Sequence, residues 1–113
     1  SELVRDIYAG FIREGIFENV SDEVPYESDV LIDGIEEDDA RIDKIFATII
    51  IEKESQKGII IGKGGECIKR IGKAAREKIE MLSGKKAYLE LQVSVKKGWS
   101  KDKAFLEEIG YQS

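Results

Sequence analysis

Gly62-Lys63-Gly64-Gly65 is the stretch of this chain whose residue types and spacing could do chemistry. Glycines leave backbone N–H groups uncovered and let a second backbone come close. The residues that follow, Glu66 to Leu82, carry helical periodicity, so a helix N-terminus opens beside the loop. Such a terminus holds unpaired N–H donors and a partial positive charge, which suits a phosphate. Lys63 in the loop and Lys69, Arg70, Lys73 and Arg76 in the helix surround it with full charges. The chemistry on offer is the binding of a polyanion.

Stronger phosphate motifs do not fit. A nucleotide-phosphate loop needs four residues between its glycines and a hydroxyl after its lysine. Only three residues stand between Gly58 and Gly62, and Gly64 follows Lys63. A dinucleotide loop is spoiled by Cys67, which stands where the third glycine belongs. The chain has no histidine, and Cys67 is its one cysteine. Cys67 sits in a first helical turn beside cations, a setting that lowers a thiol pKa. It has no histidine or second cysteine to work with, so it reads as structural. Glu36-Glu37-Asp38-Asp39 reads as a solvated acidic turn, because it lacks the spacing of a calcium loop. Trp99, after Lys96-Lys97-Gly98, reads as a cover for the core edge, with base stacking as the rival role. No catalytic residue, metal ligand or cofactor is called for.

The elements that must position the loop are legible on both sides. Residues 2 to 18 read as a helix capped by Ser1, with Leu3, Val4, Ile7 and Phe11 on its apolar face and Tyr8 and Ile12 at its edge. Gly15 and the Asn19–Ser21 region are its stop. Val24-Pro25-Tyr26 reads as an extended entry, since proline biases its predecessor away from helix. Residues 27–36 and 42–54 read as strands, the second apolar on both faces and therefore central. Ser55 to Ile61 is a polar turn and short helix. The long helix has a predicted core stripe of Ile68, Ile71, Ala75, Ile79 and Leu82, with Lys69, Lys73 and Arg76 on one flank. Residues 86–97 alternate strictly, with Ala87, Leu89, Leu91, Val93 and Val95 on the core side. Gly98-Trp99 turns the chain, and Ser100 caps a last helix ending near Gly110.

The 113 residues make one domain, 1–113, with 42% hydrophobic and 36% charged content and a net charge of −5. That charge hides a division. Residues 1–54 hold 5 basic and 16 acidic side chains, and residues 55–103 hold 13 basic and 5 acidic. Exposed charges more than ~10 Å apart are screened at physiological salt, so a cationic field can survive on the second half. The longest apolar run is too short to span a bilayer.

Gly58-Ile59-Ile60-Ile61-Gly62-Lys63-Gly64-Gly65, followed by Ile68-Lys69, Ile71-Gly72 and Ala75-Arg76, resembles the C-terminal KH domain of the Era-type GTPases. So do Val24-Pro25-Tyr26, Leu89-Glu90-Leu91 with Val93 and Val95-Lys96, and Gly98-Trp99 leading to Leu106 and Gly110-Tyr111. The resemblance covers nearly all of the chain. It implies an α+β, type II KH fold: a three-stranded mixed sheet with helices on one face, in the order α-β-β-α-(GxxG)-α-β-α. It implies binding of single-stranded RNA near the 3′ end of small-subunit ribosomal RNA during subunit assembly, in the cytoplasm, with a peripheral contact at the inner membrane. The family couples this domain to an N-terminal GTPase domain, which these 113 residues do not include, and the abrupt helical start is what would be expected of a piece cut from such a longer protein.

KH modules clamp about four nucleotides of backbone with such a loop. On this reading Gly62, Lys63, Gly64 and Gly65 hold the RNA backbone, Lys57, Lys69, Arg70, Lys73 and Arg76 supply charge, and Ile60, Ile61 and Ile68 line the base groove. The domain is expected to be a monomer without catalysis of its own. Three rivals stand beside it. One is a protein-interaction domain docking a basic partner on its acidic half. Another is a phosphate-binding enzyme. The third is a membrane-surface contact through Lys85, Lys86, Lys96, Lys97, Lys101 and Lys103.

Overall fold

The computed structural model describes residues 1–21, 23–108 and 110, with Asp38 and Asp39 described by backbone alone. Helix α1 (Glu2–Asn19) leads through a 3-10 turn (Pro25–Glu27) to strands β1 (Ser28–Asp39) and β2 (Ile42–Ile51). Helix α2 (Glu54–Ile61), a 3-10 turn (Lys63–Gly65) and helix α3 (Glu66–Ser83) cross over to β3 (Lys86–Val95). A turn (Trp99–Lys101) and α4 (Lys103–Glu108) close the described chain, so Tyr111 lies outside it. The sheet order is β1-β2-β3, antiparallel between β1 and β2 and parallel between β2 and β3. This is the α+β, three-stranded mixed sheet that the sequence implied.

β2 is central because it is apolar on both faces. Ile45, Ala47, Ile49 and Ile51 join a buried cluster with Val30 and Ile32 of β1 and Ala87 of β3. Tyr8, Ala9, Ile12 and Ile16 of α1, Val20 and Val24 after it, Ile60 of α2, and Ile71, Ala75 and Ile79 of α3 also belong to it. Among the described residues, eight isoleucines have less than 2% of their surface exposed. Each stiff, branched side chain contributes ~1.5–3 kcal/mol on full burial and loses little rotamer freedom in doing so.

Several expectations shift. The buried stripe of α1 runs through Tyr8, Ala9, Ile12, Gly15 and Ile16, while Leu3 is 69% exposed. Gly15 is a crossing point and not a stop: a Cβ there would lie 3.1 Å from the Ile71 carbonyl oxygen, so its bare backbone lets α1 rest on α3. Val24 is helical (φ −56°, ψ −46°) despite the proline after it, because the Tyr26 and Glu27 N–H groups both donate to the Glu23 carbonyl. Glu36–Asp39 continues β1, which displaces the hairpin turn to Ala40 and Arg41. Leu82 is 57% exposed, and Ile68 is only half-buried. Asp102, not Ser100, caps α4: its Oδ1 accepts the Phe105 N–H at 3.0 Å.

The joint between α3 and β3 is fixed by Glu80, whose Oε2 accepts the Ala87 N–H at 2.8 Å. That bond, with Arg76 and Lys86 nearby, holds the Glu80 carboxyl below its ordinary value of 4.5. A depressed carboxylate stabilises the fold fully above the unfolded pKa, and the contribution is lost as pH falls through the folded one. Glu80→Gln is therefore expected to destabilise the domain at pH 7 in urea titrations. Its gap from the wild type should close as the pH drops below about 4.5.

Candidate nucleic-acid interface

The loop is built by three successive departures from L-residue backbone geometry. Gly62 ends α2, donating its N–H to the Gly58 carbonyl at 2.8 Å, and adopts φ 76°, ψ 173°, a region essentially closed to side chains. A Cβ at Gly62 would stand 2.7 Å from Cys67 Cβ and 2.9 Å from Cys67 N, so the loop folds tightly against the first turn of α3. Gly64 (φ 63°) and Gly65 (φ 76°) are left-handed, yet nothing lies within 4 Å of a Cβ at either. The close packing is therefore confined to Gly62, while Lys63 and Gly64 are exposed. α3 begins with no side-chain cap, which leaves its N-terminal donors to the loop.

Ile61 and Ile68 flank the loop, one at the end of α2 and one in the first turn of α3, and both are half-buried. Ile60 is 0% exposed and belongs to the core. Its assignment to the base groove is corrected: it anchors α2 from beneath, because neighbouring residues on a helix turn by about 100°. Lys57 is half-buried and lies one turn before Ile61, on the same face.

The helical rotation of α3 sorts the cations. Ile71 and Cys67 face α1, where Gly15 and Asn19 meet them, and Gly72 faces β3, 3.6 Å from Leu91 Cδ1 as measured from an added Cβ. Lys69, Lys73 and Arg76 follow Gly72 round the wheel and form a row above the α3–β3 flank. Lys69 and Lys73 are exposed, with no ion pair among the described residues. Arg76 pairs with Glu80 at 3.3 Å. Arg70 lies away from the row, 3.6 Å from Glu66. The structure thus brings Lys69, Lys73 and Arg76 onto one flank of α3, leaves Arg70 on another, and leaves Lys63 exposed in the loop itself.

Cys67 is half-buried, and its thiol lies 3.8 Å from the Asn19 carbonyl oxygen. Burial pushes the thiol pKa up, with Arg70 only partly opposing, so the structural reading stands. Trp99 is 7% exposed and donates its indole N–H to the Glu27 carbonyl at 3.1 Å, in keeping with a cover for the core edge. The same corner holds Gln56, 3% exposed, whose Oε1 accepts the Glu52 and Lys53 N–H groups and whose Nε2 donates to Glu27. The Glu52 carboxylate accepts the Gly98 N–H. This clasp fixes the start of α2, and so the angle at which the loop is presented.

Two features escape sequence reasoning. Gly58 lies inside α2, exposed, with nothing within 4 Å of a Cβ. A helical glycine that the fold does not need costs ~1 kcal/mol against alanine, and that cost was the available signal. The six lysines offered for a membrane contact form no single patch: Lys85 and Lys86 sit at one end of β3 and the 96–103 group at the other, about 30 Å away. Lys85 is held by Asp43, and Lys96 lies 3.6 Å from Asp102. Among the described residues no helix is long and apolar enough to cross a membrane, and no group of three potential metal ligands is gathered.

Comparison with known proteins gives this geometry a context. Residues 12–100 match the KH domain family. GTPase Era of Helicobacter pylori (strain P12) is 54% identical over 110 residues, covering 97% of this chain and 36% of the relative. GTPase Era of Campylobacter hominis is 50% identical over 106 residues, covering 94% and 36%. This chain therefore spans about a third of the length of these relatives. A crystal structure of Era in complex with MgGDPNP and nucleotides 1506–1542 of 16S ribosomal RNA superposes with a TM-score of 0.91 at 36% identity, covering 97% of this chain and 37% of that one. Sequence, topology and loop agree: the chain belongs to the KH domain family and matches the C-terminal KH domain of the Era GTPases.

Proposed function

We propose that this domain binds single-stranded RNA at the 3′ end region of 16S ribosomal RNA, as the RNA-reading part of an Era-like GTP-binding protein in small-subunit assembly. The observation that carries the reading is the close structural likeness to an Era bound to that RNA, joined to an exposed glycine loop beside an uncapped helix start. An RNA phosphate backbone passes over Lys63 and Gly64, where no side chain blocks its approach. Bases lie toward Gly58, Ile61 and Ile68, and Lys69, Lys73 and Arg76 balance the phosphates and reach base edges. Lys57, Gly62, Gly65 and Arg70 act at the margin, Gly62 by shaping the loop. β3 borders only β2, so its outer edge offers main-chain donors and acceptors to unpaired bases. The domain acts as a monomer in the cytoplasm with the small subunit as its partner. A peripheral contact with anionic lipid would use the exposed Lys97, Lys101 and Lys103.

The test is an NMR titration of the labelled domain with a short RNA from the 3′ end of 16S ribosomal RNA, against a scrambled control and across a salt series. Shifts confined to Lys57 through Arg76 and stronger for the native strand are expected. Equal, diffuse shifts for both strands would overturn the reading. Gly58 supplies a second check with opposing signs. Gly58→Ala is expected to raise stability by ~0.5–1 kcal/mol in thermal melts, while the added methyl weakens RNA binding.

A further inference from the structure

Phe17 and Tyr26 form an edge-to-face pair, ring centroids 5.2 Å apart and planes at 87°, yet they remain 50% and 77% exposed. Two large aromatic rings held together in water are not explained by the core, which excludes both. Their surroundings are acidic. Glu14 stands one turn before Phe17 on α1, Glu18 follows it, and Glu23 precedes Tyr26, whose N–H donates to the Glu23 carbonyl. Lys78 is the cation that the described residues bring to Glu14 and Glu18, and both carboxylates stay more than half exposed. Arg13 is turned to Asp29 at 2.9 Å. Phe17 is about 200° round α1 from Gly15, which meets Ile71, so the pair lies on the side of α1 turned away from α3 and from the row of Lys69, Lys73 and Arg76.

The chemistry selects the occupant. Aromatic rings set among lysines stack bases, and carboxylates at the same place repel a phosphate backbone. Aromatic rings rimmed by carboxylates suit a guanidinium, which stacks on a ring face and donates in-plane to the acid. We propose that the Phe17–Tyr26 pair with Glu14, Glu18 and Glu23 is a docking surface for a basic, arginine-containing protein segment. The surface is separate from the RNA-binding flank and does not depend on that assignment. It also gives the acidic first half of the chain, 16 acidic against 5 basic residues over 1–54, a role that the RNA reading leaves unused.

The experiment is an NMR titration of the labelled domain with a synthetic twelve-residue peptide of alternating arginine and glycine, and with a glutamate–glycine peptide as control. Shifts centred on residues 14–27 are expected with the arginine peptide alone. Tyr26→Ala, at an exposed position that leaves the core intact, is expected to lower the affinity about tenfold, the scale of one desolvated cation–π contact. Glu23→Lys should do the same. Shifts of equal size at Glu36 and Glu37 would mean diffuse attraction to any acidic surface and overturn the proposal. So would unchanged affinity in folded Tyr26→Ala, or concentration-dependent shifts at Phe17 and Tyr26 without peptide, which would assign the face to a second copy of the chain.

Discussion

The double substitution Lys63→Asp with Gly64→Asp is expected to abolish RNA binding while the domain stays folded. Both residues are exposed, and a Cβ at Gly64 meets nothing within 4 Å. The left-handed backbone at Gly64 (φ 63°) is one that aspartate tolerates better than most residues, at ~1 kcal/mol. Against that small structural effect stands the replacement of one positive charge by two negative ones where a phosphate is to sit. Each lost phosphate contact lowers the salt dependence of single-strand binding by ~0.7 in log–log slope. Repulsion adds to the loss, so affinity should fall by at least ~30-fold, about 2 kcal/mol. Fluorescence anisotropy with a labelled strand reads the affinity, and a thermal melt reads the fold. Unchanged affinity in a folded double mutant would remove the loop from the binding site.

Gly62→Ala should act the other way, breaking the structure first. One methyl group there would sit 2.7 Å from Cys67 Cβ and 2.9 Å from Cys67 N. Neither is the end of a flexible side chain, so the start of α3 has to move. The backbone conformation itself, φ 76° with ψ 173°, adds a strain of ~1–3 kcal/mol for any L-residue. With overpacking of similar size, a loss of about 3–4 kcal/mol is expected, a large share of the stability of a domain this small. Gly64→Ala, left-handed but unobstructed, should cost no more than ~1–2 kcal/mol. Urea denaturation of the two variants separates them: near-equal midpoints would show that the contact with Cys67 does not fix the loop.

The contrast between these glycines also marks how far the sequence could be read. The order of elements, the central place of β2 and the position of the loop followed from periodicity and from the Gly62–Gly65 run. The division of labour inside the run did not, because four glycine-rich letters carry no sign of which one meets Cys67. Side-chain depth was the other blind spot. Ile60 and Ile61 are equivalent as letters, but a turn of about 100° puts one in the core and the other beside the loop. Local rules failed where tertiary contacts overrode them. Val24 stays helical before Pro25 because two N–H groups converge on Glu23, and Gly15 stays within α1 because Ile71 packs against it. The clasp of Gln56, Glu27, Glu52, Gly98 and Trp99 draws on three segments far apart in the chain, and no window of sequence contains it.

The parallel pairing of β2 with β3 has a consequence for how the domain is made. β1 and β2 are joined by a tight hairpin and meet early, since their partners are close in sequence. Ile42, by contrast, pairs with Lys86, and everything between β2 and β3, including the whole glycine loop, is the connection that this pairing closes. Ordering so long a connection is a late, entropically costly step. The bend of the loop is set locally, by Gly62 against Cys67, but the seating of α2 and α3, which carry it, against β3 is completed only with this pairing. A nascent chain that has finished α3 but not β3 holds every residue of the loop and lacks the strand against which α2 and α3, the helices that carry it, are packed.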